Sequence, residues 1–214
     1  MIDFGVRRLD AALNSSRSRL NSRKRQTPHS KIQSGVKPPH SKNAVHPSLR
    51  KSDRDLLAEC EVHTYRASGP GGQKRNKVES AVRIRHVPTG VAAIAEESRS
   101  QLENRPHALR RLREAIAVQV RSAVELAGYE PPDELRTVIS SGGRVRLSDH
   151  NPTYPIVVAA LLDLLAAHEG RVSDAAKQLV LSTHHLVQFF AEHGPVWGEA
   201  NRIRQRHGLS RLKV

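Results

Sequence analysis

Residues 66–90 read RASGPGGQKRNKVESAVRIRHVPTG, and the fold follows from how that stretch divides. From Ala81 to Arg85 apolar and charged residues alternate, which puts Val82 and Ile84 on one face of a strand and Arg83 and Arg85 on the other. Ahead of it, Gly69, Gly71 and Gly72 surround Pro70, a backbone able to take positive φ values and approach another surface closely. Cys60 to Arg66 alternates as a strand before this loop, Pro88-Thr89-Gly90 turns the chain, and Val91 to Ala95 returns as a third strand. A small antiparallel sheet with a glycine-rich loop at one end is expected.

Working outward, Ser52 precedes Asp53-Arg54-Asp55-Leu56-Leu57-Ala58 as the N-cap of a short helix with two acids in its first turn. Downstream, Leu109, Leu112, Ile116 and Val120 recur at helical spacing, with Asn104 expected as cap and Pro106 in the first turn, giving a long helix to cover the sheet. Pro131-Pro132 and Ser140 to Gly143 then punctuate the chain. Beyond them Ile156 to Ala167 reads as a core helix. Val172 to Leu179 followed by Ser182 to Phe190 has helix-turn-helix spacing, with Ser182 expected to cap the second helix and Val180 where a turn glycine is usual. The fold class is α+β: a small antiparallel sheet with a packed long helix, followed by a helical domain. The expected domains are a disordered basic extension over 1–45, the sheet unit over 46–130, a linker over 131–150 and the helical unit over 151–214.

The loop has its own chemistry. Lys74, Arg75 and Lys77 follow the glycines and Arg66 precedes them, a charge pattern suited to insertion among RNA phosphates. No Lys-Ser/Thr pair follows the glycines, so it is not a nucleotide P-loop. Gln73 has no useful pKa and cannot act as a general base, but its backbone N–H can donate to a developing oxyanion and its side chain can orient a water.

These residues resemble the catalytic domain of class I peptide chain release factors and their shorter ribosome-rescue relatives. The resemblance is carried by Arg66, Ser68-Gly69, the Gly71-Gly72-Gln73 triplet (the GGQ motif), Asn76, Lys77, Ser80 to Ile84 and Pro88-Thr89-Gly90. It continues through Arg99-Ser100-Gln101, Asn104 and Ala108-Leu109 in the family's order. It implies a ribosome-dependent hydrolase of the ester joining a nascent peptide to tRNA, with Gly71, Gly72 and Gln73 catalytic and Arg66, Ser68, Lys74, Arg75, Asn76 and Lys77 against RNA. The partners implied are the rRNA of the peptidyl-transferase centre and peptidyl-tRNA, whose own groups complete the site, so neither a cofactor nor a metal is called for. Residues 1–60 are too short and polar for a stop-codon-reading domain, so codon-independent action, as in ribosome rescue, is expected. The alternative is a non-catalytic rRNA- or DNA-binding module that keeps the basic loop and C-terminal helices for docking.

Composition bounds the rest. The chain has 214 residues with 35 Lys and Arg against 21 Asp and Glu, a formal charge of +14 that points to a polyanionic partner. Most of that excess lies in residues 1–50, which hold 11 Lys and Arg but only Asp3 and Asp10 as acids. Three readings of this tail stand: an arm along phosphates, a mitochondrial leader with Phe4, Val6, Leu9 and Leu13 as its apolar face, or an overextended start with translation beginning at Val45. A cytoplasmic monomer is expected, with a mitochondrial setting as the minor alternative. One cysteine, Cys60, excludes a disulfide framework, and the longest apolar stretch contains Asp163 and falls short of the roughly 20 residues that cross a bilayer. Near the end, Arg202, Arg204 and Arg206 offer a second RNA contact or, equally, a solvated helix end.

Overall fold

The computed structural model describes residues 45–66, 79–139 and 143–213, all within the unit Pro39–Val214. The N-terminal extension lies outside the described residues except for Val45, which is buried.

The alternating segments form the expected sheet. Strands β1 (Cys60–Tyr65), β2 (Ala81–His86) and β3 (Ala92–Ala95) lie in the order β1-β2-β3, each neighbouring pair antiparallel. Val82 and Ile84 are buried while Arg83 and Arg85 face solvent, as a period of two requires. Tyr65 pairs with Ala81 at the loop end of the sheet and Cys60 with His86 at the other. Helix α1 (Asp53–Ala58) leads into β1, and the Ser52 hydroxyl accepts the Asp55 N–H at 3.2 Å, a cap that stabilises by about 1 kcal/mol.

Helix α2 (Gln101–Gln119) covers β2 and β3 through Ala108, Leu109, Leu112 and Ile116, all buried. It begins earlier than the sequence suggests. Ser100, not Asn104, is the N-cap residue, and Asn104 is a buried interior position. Pro106 therefore falls in the second turn. The N–H it lacks would have gone to the carbonyl of Leu102, and that residue is exposed enough for water to take over.

Within the stretch read as a linker, α3 (Asp133–Val138) buries Leu135, and Ile139 bridges Val145. Helix α4 (Tyr154–Ala167) is buried without interruption from Tyr154 to Leu165, as expected of a helix apolar on every side. It packs against α2, against α3, and against the later helices α5 (Val172–Gln178) and α7 (Gly194–Arg206). One apolar cluster runs from Leu56 and Ile84 through Leu112 and Leu162 to Phe190 and Ile203. Each such side chain contributes about 1.5–3 kcal/mol.

Helices α5 and α6 (Thr183–Glu192) pack together as the expected helix-turn-helix. Val180 takes φ +56° in the turn, the conformation a glycine would adopt without strain. Ser182 occupies the N-cap position of α6, but its hydroxyl makes no capping bond. Its backbone N–H instead donates to the Gly143 carbonyl at 3.3 Å, tying the turn to an outside segment. Gly170 (φ +79°) is needed for a second reason: a Cβ there would lie 2.9 Å from Arg204 Cα, where α7 crosses the α4–α5 turn.

Candidate functional site

Gly71, Gly72 and Gln73, with Ser68, Lys74, Arg75, Asn76 and Lys77, lie outside the described residues, so the structure informs on the frame that carries them. That frame is narrow. The Tyr65–Ala81 pair brings the two ends of the loop side by side at the end of the sheet, and just beyond it Arg66 Nε lies 3.7 Å from Glu79 Oε1. Both side chains of that ion pair are more than half exposed, so it adds little stability.

Asn104 is the stronger anchor. Its Nδ2 donates to the Ser80 carbonyl at 2.7 Å and to the Ser98 carbonyl at 2.8 Å, and its Oδ1 accepts the Ser98 N–H at 3.0 Å. A single amide thus joins the returning end of the loop, the turn after β3 and the first turns of α2. Ser98 continues the brace: its hydroxyl accepts the Ser100 N–H at 3.0 Å and donates to Glu103. Beside the loop, Tyr65 Oη donates to Glu96 Oε2 at 3.4 Å. Partial burial and the Glu96 carboxylate push the phenol upward from its usual pKa, so it stays protonated.

The far end of the sheet is held by His86, which is fully buried. Its Nδ1 lies 2.8 Å from Thr89 Oγ1, and its Nε2 lies 3.2 Å from Glu59 Oε2 and 3.3 Å from Ser48 Oγ. The hydrogen bonds from Lys51 and then His86 lower the Glu59 pKa. This cluster sets the Pro88-Thr89-Gly90 turn at the end of the sheet away from the loop, and so acts as support.

The three C-terminal arginines differ from one another. Arg202 and Arg206 are exposed but share the buried Glu199 carboxylate, Arg206 at 3.7 Å. Arg204 is half-buried and donates from Nη1 to the Gly170 carbonyl at 2.6 Å and from Nε to the Ser210 carbonyl at 2.8 Å, bracing α7 against the α4–α5 turn.

Residues 56–152 match the family model described as RF-1 domain. Over this stretch the chain is similar to class I peptide chain release factors. The RF-1 domain match takes in the sheet, α2 and α3 and ends before α4, leaving the four later helices outside it. The chain is similar to peptide chain release factor 1 of Chloroherpeton thalassium, 37% identical over 123 residues that make up 57% of this chain and 34% of that protein. Against the protein of the same name from Treponema pallidum it is 31% identical over 156 residues, 67% of this chain and 42% of the relative. Against that of Ureaplasma parvum it is 51% identical over 71 residues, 32% of this chain and 20% of the relative. The chain thus spans well under half the length of these relatives.

Reading the RF-1 domain from sequence alone missed the work of Asn104. The available signal was its position: once α2 starts at Gln101, an asparagine inside a helix and away from the cap is disfavoured unless its amide has partners elsewhere.

Proposed function

We propose that this chain is a ribosome-dependent, codon-independent hydrolase of the peptidyl-tRNA ester, acting in the cytoplasm as a monomer to release peptides from stalled ribosomes. The observation that carries this reading is the RF-1 domain match over residues 56–152, with Gly71-Gly72-Gln73 at the centre of the loop that leaves and re-enters the sheet at Tyr65 and Ala81. In this mechanism the Gln73 N–H donates to the oxygen on which charge develops, and its side chain holds the attacking water. Arg66, Ser68, Lys74, Arg75, Asn76 and Lys77 bind the surrounding rRNA and tRNA. Arg202 and Arg206 add an outer contact in which their pairing with Glu199 gives way to phosphate. We keep residues 46–130 as the catalytic unit and 151–214 as a separate functional element.

The test is peptide release from bacterial ribosomes stalled with peptidyl-tRNA and no stop codon in the decoding site. Gln73→Ala should lower the release rate by about 100-fold or more while ribosome affinity stays within twofold. Equal release by the variant, or tight binding by the native chain with no release, would leave a docking module in place of an enzyme.

A further inference from the structure

Helix α6 exposes His184 and Gln188 and half-exposes His185, without a Lys or Arg, and so by itself has little to offer a polyanion. The missing charge comes from elsewhere in the chain. Residues 144–147 form an extended arm: Val145 bridges Ile139, and the Arg146 N–H donates to the Val138 carbonyl at 3.2 Å. The helix-turn-helix is fastened to this arm, by the Ser182 N–H on the Gly143 carbonyl at 3.3 Å and by Arg144 Nε donating to His185 Nε2 at 2.6 Å. Val145 and Leu147 turn toward the apolar cluster, so Arg144 and Arg146 face outward. Arm and helix together line a cleft of about 180 Å³, with Arg144, Arg146, His185, Gln188 and Phe189 on its walls and Glu192 as the one acid among the described residues that line it.

We propose that this cleft binds the sugar-phosphate backbone of double-helical RNA, forming a second nucleic-acid contact outside the RF-1 domain match. Two guanidiniums two residues apart on an extended segment are spaced about 6.6 Å along it, and their planar forks suit phosphate oxygens. Gln188 on the cleft wall, with the exposed His184 beside it on α6, offers donors and acceptors that 2′-hydroxyls and base edges need. The shape favours RNA over DNA. A bare helix is about 10–12 Å across and already fills a DNA major groove about 12 Å wide. With the arm fastened beside it, α6 cannot enter that groove as a bare helix, whereas the wide, shallow minor groove of an A-form duplex lets the strand at its edge lie in the cleft.

The experiment measures the affinity of the full chain for an RNA hairpin duplex of about 16 base pairs and for the matching DNA duplex, each across a series of salt concentrations. The Arg146 guanidinium has no ion pair among the described residues, so Arg146→Gln should fold normally. It should weaken RNA binding by about threefold to tenfold and reduce the salt slope by about one. Arg144→Glu combined with Arg146→Glu should weaken it by more than about tenfold, with an unchanged circular-dichroism melt for the single variant as the control. Unaltered affinity and slope in Arg146→Gln would overturn the proposal, as would equal or tighter binding of the DNA duplex. Because no release reaction is involved, a native chain that fails to free peptide would defeat the proposed function and leave this measurement standing.

Discussion

Asn104, beneath the sheet, and Asp163, in the middle of α4, are both buried polar side chains, yet their surroundings treat them in opposite ways. Both Asn104 donors and its acceptor have partners, all of them backbone groups, of Ser80 at the base of the loop and of Ser98 in the turn after β3. Asp163 Oδ1 accepts the Ser122 N–H at 3.0 Å and pairs with Arg121 Nη1 at 2.9 Å, but Asp163 Oδ2 and Arg121 Nε have no partner among the described residues. Burial, outweighing Arg121, pushes the Asp163 carboxyl up to about 7, and burial with the nearby Asp163 carries the Tyr129 phenol to about 12. In the sheet region a neutral, saturated amide fixes geometry. In the helical region a partly satisfied ion pair joins the chain just after α2 to α4 at an electrostatic cost.

The sharpest way to break this comparison is to remove one half of the ion pair. Asp163→Ala leaves Arg121 charged and mostly buried, and should cost about 3–5 kcal/mol in urea unfolding. Replacing both partners, Arg121→Met with Asp163→Leu, should return stability to within about 1 kcal/mol of the native chain or exceed it. If the double variant is as unstable as the single one, the pair contributes more than its burial costs and the contrast with Asn104 disappears.

The pH dependence sharpens the same point. Asp163 has a folded pKa raised from 3.8 to about 7, so folding takes up a proton between those values and this group's stabilising contribution declines as pH rises through that window. The native chain should therefore lose stability relative to Asp163→Asn as pH goes from about 4 to about 7, by an amount on the order of a few kcal/mol. Parallel stability profiles for the two proteins would show that Arg121 already holds Asp163 ionised.

On the sheet side, Asn104→Ala should cost about 2–3 kcal/mol by stranding the Ser80 and Ser98 backbone groups, and should slow the proposed peptide release by more than the loss of folded protein explains. Release that merely follows the folded fraction would reduce Asn104 to a core residue. Val180→Gly relieves the left-handed valine and should raise stability by about 0.5–1 kcal/mol after the entropy cost of glycine, read as a higher urea midpoint. The smallest effect is expected from Glu79→Gln, under about 0.5 kcal/mol, because its pair with Arg66 is exposed.

Much of the frame was legible because short-period patterns report directly on burial. Alternation at Ala81 to Arg85 places Val82 and Ile84 inside, the spacing of Leu109, Leu112 and Ile116 places α2 on the sheet, and Ser52 caps α1 as its residue type suggests. The start of α2 was misplaced because Asn104 is a residue type that favours caps. What holds it inside the helix is a set of partners 24 and 6 residues away, which no local pattern encodes. Likewise Arg202, Arg204 and Arg206 look alike in a run of basic residues, and only α7's contacts separate the brace from the two exposed pairs.

The amino-acid order alone determined the three strands, the covering helix, the helix-turn-helix spacing and the Gly71-Gly72-Gln73 triplet with its basic flank, because each is a matter of neighbours within a few positions. The tertiary structure decided which polar groups meet across long separations: Asn104 with Ser80, Arg121 with Asp163, Arg144 with His185. Those pairings depend on how α2, α4 and α6 pack, and packing is a property of the whole apolar cluster, not of any one segment.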